Sequence, residues 1–234
     1  MAVSIDTVYQ RVLGILNKEQ RGYITPQEFN LLANQAQMDM FEQYFYDLNA
    51  FNRIEGNDTT YSDMVDVINE KIDIFEKYRQ TVTMTGANGV GVLPSHYRMG
   101  ELYYNCSGGY VEVEKISQNE IHHIQNSPLT APTTTRPVYV NTSETGIIVY
   151  PTTINASVVC NYIDKPSSVN WNYTLVNGYP LYNANGTVNF SLHSSEETEL
   201  VIKILALAGI VLNDPNAYQL ASAEDTKNEQ QKKQ

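Results

Sequence analysis

Apolar residues recur at helical spacing through the first third of the chain, and one stretch carries more of them than a single packing face needs. Between Ile24 and Phe51, the residues Phe29, Leu32, Ala33, Ala36, Met40, Tyr44 and Phe51 follow one side of a helix. Leu31, Met38, Phe41, Phe45 and Leu48 follow a second side at 3-4 spacing. A helix that only covers a core needs one stripe, so the second predicts a further contact, either within the same subunit or with a neighbouring one. The start of this helix is specified locally. Thr25 is an N-cap, Pro26 takes the first helical position, Glu28 closes a capping box, and Ile24 is set to staple onto Phe29.

Two more helices flank it. Ser4 caps a run in which Ile5, Val8, Tyr9, Val12, Leu13 and Leu16 share a face, with Gly22 placed to end it. After a polar linker at Glu55 to Thr60, Tyr61, Val65, Ile68, Ile72 and Phe75 form a single stripe. The pattern changes near Thr81. Thr81 to Thr85 is β-like, the cluster Gly86, Gly89 and Gly91 is a turn, and Tyr110 to Lys115 alternates strictly, with Glu112 and Glu114 on the wet face. Ser117 to Glu120 predicts a capping box opening a short helix, and the Pro- and Thr-rich stretch from Ser127 to Pro137 predicts an extended loop. Strands are expected at Val138 to Asn141, Gly146 to Tyr150, Val158 to Ile163 and Thr187 to Leu192. Ser194 to Glu197 predicts a further capping box, ahead of an apolar face of Leu200, Val201, Ile204, Leu205 and Ala208. Asp214-Pro215 opens a final helix before a polar tail. The expectation is an α+β fold: a helical N-terminal cluster over 1–80, an antiparallel β module over 81–192, and C-terminal helices and tail over 193–234.

Charge narrows the function. Fifteen Lys and Arg stand against 26 Asp and Glu, a formal net charge of −11, which argues against gripping nucleic acid by neutralising phosphates. The N-terminus lacks the basic segment and unbroken apolar run of a secretory signal, and no stretch reaches the length of a membrane span. No catalytic, cofactor-binding or metal-binding residues are expected. Cys106 and Cys160 are too few and too far apart for a zinc site, and His122 and His123 are adjacent, which makes a shared metal site hard to build. The glycine cluster lacks the Gly-Lys-Ser/Thr of a phosphate loop, and Asn105-Cys-Ser-Gly108 does not fit a nucleophile elbow. The 17 tyrosines and Trp171 suit interface anchoring or a sugar-binding face equally.

Three segments carry a resemblance: Glu19 to Asn49 (EQRGYITPQEFNLLANQAQMDMFEQYFYDLN), Val92 to Tyr104 (VLPSHYRMGELYY), and the run from Ile147-Ile-Val-Tyr-Pro151 through Tyr162-Ile-Asp-Lys-Pro166 to EETELVIKILALAGIVLNDP. Taken in order they resemble the head-to-tail connector (adaptor or ring) proteins of short-tailed phages, including those of crAss-like and marine phages. The resemblance implies a non-enzymatic virion protein of the neck or tail, assembled in the bacterial cytoplasm. It implies a ring of about twelve copies, stacked between the portal and the next ring or tail protein, with genomic DNA passing through the lumen. On that reading Leu31, Met38, Phe41, Phe45 and Leu48 are the expected oligomer interface, and Glu112 and Glu114 are candidates for the lumen. The alternative is a receptor- or glycan-binding tail accessory protein that uses Trp171 and Tyr173.

Overall fold

The computed structural model describes residues 3–18, 24–51, 64–86, 88–106, 108–211, 223 and 226–227. In chain order, α1 (Ile5–Lys18), α2 (Pro26–Phe51) and α3 (Met64–Asp73) precede β1 (Glu76–Thr81), β2 (Thr83–Met84), β3 (Val90–Val92), β4 (Arg98–Cys106) and β5 (Gly109–Lys115). A short α4 (Ile121–Asn126) follows, then β6 (Val138–Asn141), β7 (Gly146–Tyr150), β8 (Val158–Ile163), β9 (Tyr173–Val176), β10 (Tyr179–Tyr182) and α5 (Glu197–Val211). The fold is α+β. It divides into two compact units, one of Met1–Ile74 with Pro166–Gln234 and one of Phe75–Lys165. The division differs from three consecutive regions: residues 166–192 group with the helices, because their backbone is held by α2 rather than by the main sheet.

In the helical unit, α2 packs against α3 and α5, and α5 against α1. The two N-terminal caps form as expected. Ser4 Oγ accepts from Thr7 N–H at 3.4 Å, joined from far along the chain by Asn189 Oδ1, which accepts from Ile5 N–H at 3.1 Å. Thr25 Oγ1 accepts from Glu28 N–H at 3.3 Å while Glu28 Oε2 accepts from Thr25 N–H at 2.9 Å, and these bonds hold the Glu28 carboxyl below its ordinary pKa. Two other caps differ from expectation. No side chain caps α4, which starts at Ile121, and the turn before α5 is a 3-10 turn at Ser194–Glu196 capped by His193 Nδ1 rather than by Ser194. Tyr61, Gly22, the linker 55–60 and the final helix from Asp214 lie outside the described residues.

The second unit is a closed barrel. Its strand order is β1-β8-β4-β5-β6-β7-β3-β2, antiparallel except for β5 with β6. The two ends of that order, β1 and β2, are successive parts of one run interrupted only at Val82, so the hydrogen-bonded circuit closes on itself. Val82, Leu102, Val113, Ile147, Val149, Val158 and Cys160 fill the interior. This explains the strict alternation of β5: Val113 is buried, whereas Glu112 and Glu114 lie on the wet outer surface. Gly89 is required in the turn between β2 and β3. Its φ is +71°, and a Cβ there would stand 2.2 Å from the Val149 carbonyl oxygen. The expected strand over Thr187 to Leu192 forms only isolated bridges at Val188 and Phe190.

Candidate functional site: an apolar hairpin on a polar-stapled base

α2 has a third stripe, neither core nor interface, made of Asn30, Asn34 and Gln37. Asn34 pairs with both backbone groups of Val169: its Nδ2 donates to Val169 O at 2.9 Å and its Oδ1 accepts from Val169 N–H at 2.9 Å. Asn30 does the same with Trp171, at 3.3 and 2.8 Å. Gln37, itself buried, donates to Ser167 O at 2.9 Å and accepts from Ser191 N–H at 3.0 Å. The spacing is geometric. Four helical residues rise about 6 Å and two extended residues about 6.6 Å, so Asn30 and Asn34 meet Trp171 and Val169 in step, and Gln37, only three residues further on, reaches Ser167 with a side chain one methylene longer. The helix thereby replaces a neighbouring strand for residues 167–171, satisfying backbone groups that burial would otherwise strand.

This staple fixes Trp171. The side chain is 2 % exposed, its Nε1–H donates to Asp6 Oδ1 at 2.9 Å, and Tyr9 lies 4.2 Å away between ring centroids. Trp171 is therefore core and offers no face to a sugar. Tyr173 stacks on it and Tyr182 packs against it at a tilt, each with ring centroids 5.8 Å away. They form the base of the β9–β10 hairpin, whose turn at Asn177-Gly178 has positive φ at both residues, +51° and +83°. That geometry matches the twist of the strands and selects Asn-Gly.

From this base the hairpin runs into solvent with an apolar surface. Leu175 is 69 % exposed, Tyr179 78 %, Leu181 60 % and Val176 50 %. The register pairs Thr174 with Leu181 and Val176 with Tyr179, so these four share one face, opposite to the face that starts on Trp171. β9 and β10 form a separate two-stranded sheet in which each strand has one side unpaired by any other strand. The hairpin was not among the predicted strands. Its signal was the Asn-Gly pair between β-forming runs.

The predicted interface residues separate. Leu31 is exposed and Met38, Phe45 and Leu48 are half-buried, but Phe41 is fully buried, packed edge-on to Phe45 at 5.1 Å. Phe41 is core, because the helix turns it into the packing of its own unit, and it leaves the proposed interface set. Glu112 is exposed beside Tyr103 of β4, and Glu114 lies 3.8 Å from Arg136, which offsets part of its charge.

Two other features gather polar and cationic groups. A cleft of about 160 Å³ between α2, α3 and α5 is walled by Met40, Tyr44, Phe51 and Ile68. Lys71 at its edge is committed to a salt bridge with the buried Glu196, and burial, followed by the Glu196 and Glu199 charges, pushes the Tyr44 phenol far above its ordinary range. On the barrel, Arg79 holds its guanidinium 4.7 Å over Tyr78 and 4.1 Å over Tyr110. Its backbone at φ +51° is supported by a bond from its N–H to Asn161 Oδ1 at 2.9 Å. Among the described residues, no group of three His, Cys, Asp or Glu side chains could hold a metal ion, and no helix is long and apolar enough to cross a membrane. No protein-family model matches the chain, and no curated protein matches it.

Proposed function

We propose that this chain is a structural subunit of a homo-oligomeric ring in the head-to-tail connector of a tailed phage, joining portal to tail and leaving a channel for DNA. The observation that carries the assembly reading is the rigidly based, solvent-exposed apolar hairpin. A contiguous exposed apolar surface on an anchored element marks an interaction site. Leu31, with half-buried Met38, Phe45 and Leu48, adds a second open strip on the same unit.

Charge supports the connector reading. The helical unit holds 19 acidic and nine basic residues and the barrel seven and six, so nearly all of the net −11 belongs to the helical unit. A channel lined with like charge repels phosphate and lets DNA slide; Glu112 and Glu114 are the barrel's candidates for such a lining. The phage connector itself, as opposed to any other assembly, rests on the resemblance of the three segments. The test is light scattering on the purified protein together with negative-stain imaging of the protein mixed with portal. A closed ring, alone or on the portal, is expected. A monomer at all concentrations that ignores portal overturns the reading.

A further inference from the structure

We infer that the Thr174/Val176/Tyr179/Leu181 face of the β9–β10 hairpin is the contact made with a second copy of this chain. The inference rests on the ring reading and specifies where the ring is held. Electrostatics favours this face. Residues 166–195 contain no Asp, Glu, Lys or Arg, although they belong to the unit that carries 19 acidic and nine basic residues. Two copies of so acidic a unit repel each other, and a face without charge adds nothing to that repulsion at whichever different surface of the next copy it meets in a ring. A basic partner would gain nothing from this surface, since it offers no carboxylate to pair.

Backbone pairing limits the mode of contact. In a hairpin with a two-residue turn, the residues flanking the turn, Val176 and Tyr179, exchange backbone bonds, and so do Thr174 and Leu181. The alternate pair, Leu175 with Pro180, points its backbone groups outward. Proline has no N–H to offer there, so β10's outer edge is poor for strand addition, whereas β9's outer edge keeps both backbone groups of Leu175. The face brings the large exposed side chains of Val176, Tyr179 and Leu181 together, while the hairpin's inner end is held by Tyr173 and Tyr182 on Trp171. An anchored, pre-ordered apolar face loses little conformational freedom on contact.

The test compares the full-length wild type with Tyr179→Glu and with Leu181→Glu by light scattering, with circular dichroism melting as the folding control. Both side chains are exposed in the subunit, so the fold is expected to survive while the dissociation constant of the assembly rises at least about 30-fold. Tyr179→Phe should assemble like wild type. Wild-type and glutamate variants that form the same oligomer at the same concentration would overturn the hairpin contact and leave the ring reading standing. A wild type that stays monomeric, with or without portal, would remove the ring reading itself. A photo-crosslinking side chain at 179 gives an independent readout that does not depend on a disruptive variant. Links between two copies are expected, whereas links only to the same chain's own residues 212–234, or to portal, would overturn the proposal.

Discussion

Asn34→Ala tests whether α2 really stands in for a strand. The substitution removes two hydrogen bonds to Val169, each worth about 1 kcal/mol net, and leaves a backbone N–H and C=O without partners beside a residue only 2 % exposed. Each stranded group adds about 1 kcal/mol or more, and alanine's better helix propensity returns about 0.5 kcal/mol. The expected loss is about 2–4 kcal/mol. Trp171 is the chain's single tryptophan and sits two residues from Val169, so its fluorescence during urea unfolding reports this unit directly. With a urea slope of about 2 kcal/mol/M, the midpoint should fall by about 1–2 M. Gln35→Ala, at an exposed neighbouring position, should stay within about 0.5 kcal/mol of wild type. Asn34→Asp sharpens the test. The carboxylate can accept from Val169 N–H but faces the Val169 carbonyl with no proton to give, so its folded pKa is raised. Its deficit should therefore shrink as pH falls toward the carboxylate range and grow as pH rises through it. An Asn34→Ala midpoint within about 0.3 M of wild type, with Asn34→Asp equal to it at every pH, would refute the staple.

Leu31→Asp should leave urea stability within about 0.5 kcal/mol of wild type, whereas Phe41→Asp, at a fully buried position, should prevent folding of the helical unit, read by circular dichroism. Equal tolerance at both positions would mean that Phe41 is not core. Lys71→Met leaves the Glu196 carboxylate buried without its cation and should cost about 3–5 kcal/mol; Lys71→Met with Glu196→Leu should recover much of it in chemical denaturation. Burial pushes the Cys160 thiol up to about 11 from an ordinary 9.0, so the thiolate forms late and its contribution to stability is lost only as pH rises from 9 toward 11. Iodoacetamide at pH 8 followed by mass spectrometry should therefore modify half-buried Cys106 in the folded protein and Cys160 only after the barrel opens.

The sequence by itself determined the elements whose signals are local. The Thr25/Glu28 capping box, the alternation of Tyr110 to Lys115, and the strands at 138–141, 146–150 and 158–163 need only neighbours a few residues away, and all of them form. The second stripe on α2 was equally legible as apolar spacing, yet spacing does not say which residues a subunit covers for itself, and packing alone put Phe41 inside and left Leu31 out. The Asn30/Asn34/Gln37 stripe was present in the sequence at helical spacing but meant nothing there, because its partners lie about 130–154 residues away and an amide is as much at home in water as against a backbone. Barrel closure was decided in the same way. One run, broken only at Val82, pairs with β8 at its first part and β3 at its second, and no local pattern encodes which strands meet. The hairpin shows both sides: Asn-Gly sets the turn from local backbone preference, whereas only the buried Trp171 beneath it makes an exposed apolar face a fixed surface. Backbone preference acts over a few residues and is written in the chain, but burial is a property of the assembled packing.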